Sequence, residues 1–117
     1  MRALEELVKE FSDSVIGQTE AMRVGDIKRG NQLAKERVQA WGELCSAGDE
    51  GRDALAVLLG DPSADIRAMA AAFLLRYKTK EAQRVLLDVA EGEGLAAFGA
   101  SEALERWKEG DWHLDPV

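Results

Sequence analysis

The chain has 117 residues, of which 22 are acidic and 15 basic, so its formal net charge at neutral pH is −7. One cysteine and one histidine exclude an intramolecular disulfide and any cysteine-rich or histidine-rich metal site. With 46% hydrophobic and 32% charged residues, we expect a single folded domain over residues 1–117. The single cysteine indicates a reducing, cytoplasmic setting.

Two helices are predicted in residues 1–48, because apolar residues recur there every three or four positions. Gly25 is expected to end the first helix, Asp26 to cap the second, and Gly48 to follow the second. A mildly basic stretch in this region is interpreted as a solvated helix face. The two apolar stripes are Leu4, Leu7, Val8, Phe11, Val15 and Ile27, Ala34, Val38, Trp41, Cys45, and the basic residues are Arg23, Lys28, Arg29, Lys35 and Arg37.

Four further helices are predicted between residues 49 and 110. The third is short and ends before Gly60, Asp61 caps the fourth with Pro62 in its first turn, and Thr79 caps the fifth. Gly110 ends the sixth helix, and residues 111–117 form a tail without a period. The apolar faces of the last three helices are Ile66, Met69, Ala70, Phe73, Leu74, Tyr77; Ala82, Val85, Leu86, Val89; and Leu95, Phe98, Ala100, Ala103, Leu104, Trp107.

An internal repeat of helix pairs is typical of an α-solenoid. Residues 49–78 form the clearer unit, and residues 79–110 form a degenerate second unit that lacks the Asp-Pro turn. The segment from Asp61 to Arg67, followed by Ala70 and Ala71, resembles the turn and second helix of a HEAT repeat, in which the aspartate and arginine are structural. We therefore expect an all-α fold, a compact HEAT-like α-solenoid of about six antiparallel helices.

Further short stretches follow one another along the chain: Leu7-Val8 with Phe11, Gln18 with Ala21, Gly25-Asp26 with Asn31 and Leu33, Glu43-Leu44, Gly51-Arg52 with Ala54-Leu55, and Phe98. Together with the Asp-Pro turn, and in this order, they resemble a bacterial family of small HEAT-like proteins described only as a domain of unknown function. The resemblance covers Leu4 to about Trp107. It implies a fold, and it supplies no catalytic or binding residues.

Acidic residues are concentrated in the second half of the chain. Residues 1–48 hold seven basic and eight acidic residues, whereas residues 49–117 hold eight basic and fourteen acidic ones. Either these acids serve only solubility, or they form a surface that attracts a basic protein. Trp112, in the tail, either covers the open end of the solenoid or anchors a partner. The candidate partner-binding residues are Asp88, Glu91, Glu93, Glu102, Glu105, Glu109 and Trp112.

The function predicted from these observations is a non-enzymatic protein–protein interaction module with an acidic surface. No nucleophile–base pair, metal cluster or cofactor loop occurs in the sequence, so no catalytic, cofactor-binding or metal residue is assigned. The net charge disfavours nucleic acid, and the longest apolar run, from Ala68 to Leu75, is too short to cross a bilayer. We expect a monomer or a weak homodimer.

Two alternatives remain open at this point. One is an immunity protein that neutralises a basic, nuclease-like toxin, which fits the charge and the resemblance. The other is small-ligand binding or a carboxylate-based enzyme, for which Asp49 with Asp53, or Glu102 with Glu105, would be the acid pair.

Overall fold

The computed structural model describes residues 2–110, and within them every regular element is a helix, which confirms the all-α prediction. The chain divides into two compact units, unit 1 (Met1–Leu55) and unit 2 (Ala56–Val117). The solenoid arrangement and the domain limits predicted above stay predictions, and the predicted tail with Trp112 lies outside the described residues. The helices are α1 (Leu4–Arg23), α2 (Ile27–Ser46), α3 (Asp49–Ala56), a 3₁₀ helix (Val57–Gly60), α4 (Ala64–Leu74), α5 (Thr79–Ala90) and α6 (Leu95–Glu109).

Unit 1 is built on α1 packed against α2. Leu7, Phe11 and Val15 are buried along α1, as their spacing of three and four residues predicts. Opposite them, Trp41 and Leu44 of α2 are fully buried. This pairing of two 20-residue amphipathic helices supplies the apolar core of the unit.

The start of α2 is fixed by a side-chain cap. Asp26 accepts a hydrogen bond from the backbone N–H of Arg29 at 3.1 Å, as the sequence predicts. We expect Asp26→Ala to lower the free energy of unfolding by about 1 kcal/mol, because an N–H loses its acceptor and the positive helix end loses a carboxylate. The measurement is urea unfolding followed by circular dichroism.

Asp88→Ala is the matched control for this cap, because Asp88 is exposed in the last turn of α5. There the same substitution removes a carboxylate from the negative end of a helix and is expected to stabilise the chain slightly. Equal losses at the two positions would contradict the capping role of Asp26.

The buried face of α2 differs from the predicted stripe. Ile27 is 76% exposed and Val38 is 54% exposed, so the sequence prediction is wrong for both. The buried face is rotated about the helix axis relative to the predicted stripe. It consists of Gly30, Arg37, Ala40, Trp41 and Leu44. Positions 30, 37, 41 and 44 are spaced by seven, four and three residues, which is itself a helical stripe.

Arg37 is buried, which corrects its interpretation as part of a solvated basic face. It is 6% exposed, and its Nη2 donates a hydrogen bond to Gln18 Oε1 of α1 at 2.7 Å. Its Nε and Nη1 are buried and have no hydrogen-bond acceptor within residues 2–110. Burial lowers the pKa of Arg37 from its usual range, since the charged form loses hydration.

The turn from α2 to α3 brings two backbones into contact. Gly48 has a φ of +71°, the left-handed conformation that glycine adopts without strain, and this confirms its predicted place after α2. Gly51 is buried in the first turns of α3. A Cβ at Gly51 would lie 1.8 Å from the carbonyl oxygen of Leu44, so α3 approaches α2 at a distance that only glycine permits.

Unit 2 is organised around α4, which contacts the 3₁₀ helix, α5 and α6. Most residues of α4 are buried, and the buried residues, which include Ile66, Phe73 and Leu74, lie on all sides of the helix. Small residues allow this, because Ala68, Ala70, Ala71 and Ala72 let the neighbouring segments approach closely. The predicted short third helix is split into α3 and the 3₁₀ helix, whose Leu58 is buried.

The Asp-Pro turn before α4 is held by local hydrogen bonds. Ser63, not Asp61, is the N-cap, and its hydroxyl accepts from the N–H of Ile66 at 3.4 Å. Asp61 instead accepts from the N–H of Ser63 at 2.9 Å. Arg67 Nη1 donates to the carbonyls of Asp61 and Pro62 at 2.8 and 3.0 Å. Asp61 and Arg67 thus both hold this turn together through hydrogen bonds.

The next helix, α5, begins one residue earlier than its predicted cap implies. Thr79 is already helical, and its hydroxyl donates to the carbonyl of Leu75 at 2.7 Å instead of capping α5. The predicted inner stripe is confirmed at Ala82, Leu86 and Val89, which are buried.

Candidate functional site

One exposed stripe on α6 combines apolar and acidic side chains. Its residues are separated by three and four positions, so they fall within about 80° of the helix circumference and extend over about 21 Å of its length. All five are exposed to solvent. We call this stripe the α6 outer face; it consists of Leu95, Phe98, Glu102, Glu105 and Glu109.

The apolar half of this face corrects the predicted packing of α6. Leu95 and Phe98 were expected in the core, but they are 69% and 64% exposed. Ala100 and Ala103 of the predicted face are buried as expected, and Ala97 is buried beside them, so α6 packs through its alanines. Two large apolar side chains therefore stand in solvent beside the predicted acids.

The acidic half is made of the predicted residues Glu102, Glu105 and Glu109. The sequence contains no lysine or arginine between Arg84 and Arg106. Within residues 2–110, none of the three glutamates forms an ion pair with a neighbour. Their charge is thus available to an approaching molecule, with Arg106 and Lys108 as the nearby cations of the same helix.

The position of these acids opposes the stability of the helix itself. Glu105 and Glu109 lie in the last turns of α6, where the carbonyl end carries partial negative charge. The first turn of α6, where a carboxylate would stabilise the helix, holds none. Arg106 and Lys108 in the last turn offset part of this cost. The helix dipole therefore gives no reason for Glu105 and Glu109 at these positions.

The remaining predicted acids of the described chain gather at the other end of α6. Asp88 lies in the last turn of α5, Glu91 follows that helix, and Glu93 stands in the turn to α6. All three are exposed, and so is Leu87 of α5, at 58%. The structure thus divides the predicted set into a group at the α5–α6 turn and a group on the α6 outer face, while Trp112 lies outside the described residues.

A separate cleft of about 410 Å³ runs along α1 and α2 in unit 1. Some of its charged residues are already paired. Lys9 Nζ lies 2.8 Å from Asp13 Oδ2, and Glu10 forms an ion pair with Arg2. None of the predicted partner-binding residues that the structure describes lines it. The lining residues are Glu6, Lys9, Glu10, Asp13, Ser14, Arg29, Leu33 and Glu36.

The two acid pairs considered for an enzyme lie on open surface. Asp49 is exposed in the first turn of α3 and accepts a hydrogen bond from Arg52 at 2.8 Å. Glu102 and Glu105 lie side by side on the α6 outer face. General acid–base catalysis needs a carboxyl group in a site that holds substrate and excludes water. Neither pair is placed in such a site by residues 2–110.

Within residues 2–110, no group of three or more histidine, cysteine, aspartate or glutamate side chains is arranged to hold a metal ion. No helix in the same range combines the length and apolar character needed to cross a membrane.

Comparison with known proteins gives a family and a fold. A family model described as "Domain of unknown function (DUF2019)" matches residues 5–106. No curated protein matches the chain. The crystal structure of the protein RPA1889 from Rhodopseudomonas palustris CGA009 is similar, with a TM-score of 0.89, 23% sequence identity and coverage of 100% of this chain and 96% of that one. At this identity the similarity shows the fold alone.

Proposed function

The chain belongs to the DUF2019 family, and we propose that it is a non-enzymatic protein–protein interaction module whose contact surface is the α6 outer face. The partner is a protein with a basic surface. This proposal joins the acidic character predicted from the sequence to the two exposed apolar residues of the same helix.

The composition of the α6 outer face is the observation that carries the proposal. Interaction surfaces combine apolar side chains, which lose water on binding, with charged groups that guide the partner. Leu95 and Phe98 supply the apolar side chains, and the three glutamates supply the charged groups. Glu105 and Glu109 also stand at the end of α6 that the helix dipole disfavours for carboxylates.

The two halves of the face are expected to contribute differently. Burying an exposed leucine or phenylalanine contributes about 2 kcal/mol of transfer free energy, so Leu95 and Phe98 slow the dissociation of the partner. The glutamates act at longer range and mainly accelerate association at low ionic strength.

The test compares two triple variants with the same change in charge. The first replaces Glu102, Glu105 and Glu109 with glutamine. The control replaces Glu5, Glu50 and Glu81, which are exposed on other helices. Each variant loses three of the negative charges, which changes the net charge from −7 to −4. The wild-type chain captures its partner from a lysate of the source cell, and each variant is then measured against the purified partner by surface plasmon resonance.

We expect the first variant to associate about tenfold more slowly at low salt, with the difference disappearing at high salt, while the control stays within about threefold of wild type. Phe98→Ala should accelerate dissociation on the order of 30-fold. Equal effects of the two triple variants, or failure to capture a stoichiometric partner, would contradict the proposal.

The same experiment separates the immunity hypothesis from a more general role. If the purified partner is a basic nuclease whose activity the wild-type chain inhibits, immunity is the specific function. Inhibition should then weaken with Glu102→Gln, Glu105→Gln and Glu109→Gln combined, because the acidic half would face the positively charged nucleic-acid site.

A further inference from the structure

We infer that the element bound by the α6 outer face is a basic amphipathic helix, aligned along α6, that carries apolar residues at one end and lysine or arginine residues along the rest. This inference rests on the proposed function and names its partner. It follows from the spacing of the five residues and from the order of their chemistry along α6.

The spacing of the α6 outer face favours a helical partner. Its five residues occupy about 21 Å, so successive residues are about 5.3 Å apart along the axis. A second helix repeats its own face at the same interval, with a pitch of about 5.4 Å, and can meet every position. A strand repeats same-side residues every 6.6–6.8 Å, so five of them extend over about 27 Å and lose register with α6.

The chemistry of the face fixes the pattern of the partner. Leu95 and Phe98 occupy the N-terminal end of the stripe, and the glutamates occupy the remainder. A complementary helix therefore needs apolar residues within one turn, followed by cations at spacings of three and four residues. Both halves have to lie on one side of that helix. The stripe is one side chain wide, which suits a single helix.

The order of the stripe also predicts selectivity among basic helices. A helix with the right cations but with its apolar residues on the opposite side can satisfy only the glutamates. A helix with apolar residues and no cations can cover only Leu95 and Phe98. Charge complementarity alone would accept any cationic peptide, whereas the α6 outer face should distinguish peptides of identical composition.

The test uses two synthetic 18-residue peptides of the same composition, titrated into the full chain labelled with nitrogen-15. The first peptide has two leucines in one turn and three lysines at spacings of three and four residues on the same side, in an alanine and glutamine background. The second has its lysines moved to the opposite side. Binding is followed by amide chemical shifts at two salt concentrations, and helix formation in the peptide by circular dichroism.

We expect the first peptide to bind at least tenfold more tightly than the second, to become helical, and to shift amides of α6 from Leu95 to Glu109. Phe98→Ala should weaken the first peptide, and the combined Glu102, Glu105 and Glu109 to glutamine variant should remove its salt dependence. Matched affinity for the two peptides, a bound peptide that is not helical, or shifts confined to other helices would overturn the inference.

Failure of this inference is distinguishable from failure of the proposed function. If neither peptide binds as expected but the native partner still requires the α6 outer face, the interaction function stands and its partner is not a basic helix. If the native partner ignores the α6 outer face, the proposed function fails and this inference fails with it.

Discussion

Replacing Gly51 with alanine is expected to lower the free energy of unfolding by about 3 kcal/mol or more. The added Cβ would lie 1.8 Å from the carbonyl oxygen of Leu44 and 2.7 Å from its carbonyl carbon. Because both atoms belong to the backbone of α2, no side-chain rotation relieves the overlap, and α3 has to move. Urea unfolding followed by circular dichroism measures the loss.

Gly42→Ala is the control for this prediction. Gly42 lies in the interior of α2, and nothing stands within 4 Å of an added Cβ there. Alanine should therefore stabilise the chain by about 1 kcal/mol through its higher helix propensity. If Gly51→Ala unfolds the chain, the soluble Gly42→Ala variant shows that an added methyl group is not itself harmful. A Gly51→Ala variant as stable as wild type would contradict the close approach of α2 and α3.

The helices were predictable because their ends carry strong local signals. Asp26 caps α2, Gly48 follows it in a left-handed conformation, and Gly110 ends α6, as the sequence indicates. The inner stripe of α1 was predictable for the same reason, since Leu7, Phe11 and Val15 lie on one narrow side. Local chemistry and the period of 3.6 residues are sufficient for these features.

Which side of a helix is buried was harder to predict. The apolar residues of α6 cover a wide arc, and hydrophobicity alone favours Leu95 and Phe98 over Ala97 for the core. The structure reverses this choice, because small residues allow α6 to pack closely against its neighbours. The acidic half of the α6 outer face was therefore predicted correctly as exposed, while its apolar half was missed. Its signal was the continuation of the spacing from Phe98 to Glu102.

Burial of Arg37 was missed because arginine is seldom buried without a charged partner. Its position seven residues after Gly30 and four before Trp41 placed it on the packed line of α2. The sequence contains that spacing, but the neighbouring basic residues favoured the interpretation of Arg37 as part of a solvated face. The consequence is an arginine in the interface of α1 and α2 whose hydrogen-bonded neighbour, Gln18, is neutral.

Replacing Arg37 with methionine is expected to raise the free energy of unfolding by about 2 kcal/mol. The guanidinium loses its hydration on folding, and its bond to Gln18 provides no opposite charge. Methionine keeps a long unbranched chain in the interface and has a similar helix propensity. Gln18 is only half-buried, so its amide can turn to water once the arginine is gone.

The pKa of Arg37 determines how the stability gained on Arg37→Met depends on pH. Burial places the pKa of Arg37 lower in the folded chain than in the unfolded chain, so the group binds its proton less tightly when folded. Its charge therefore destabilises the fold at every pH below the folded-state pKa. Because an arginine titrates far above neutrality, the gain from Arg37→Met should be constant between about pH 5 and pH 9.

The matched control is Arg29→Met, which makes the same chemical change at an exposed position of α2. It should alter the free energy of unfolding by no more than about 0.5 kcal/mol. A loss of stability on Arg37→Met would contradict the argument, because it would mean that the buried guanidinium has a compensating anion. A gain that changed sharply within the same pH range would also contradict it, since an arginine does not titrate there.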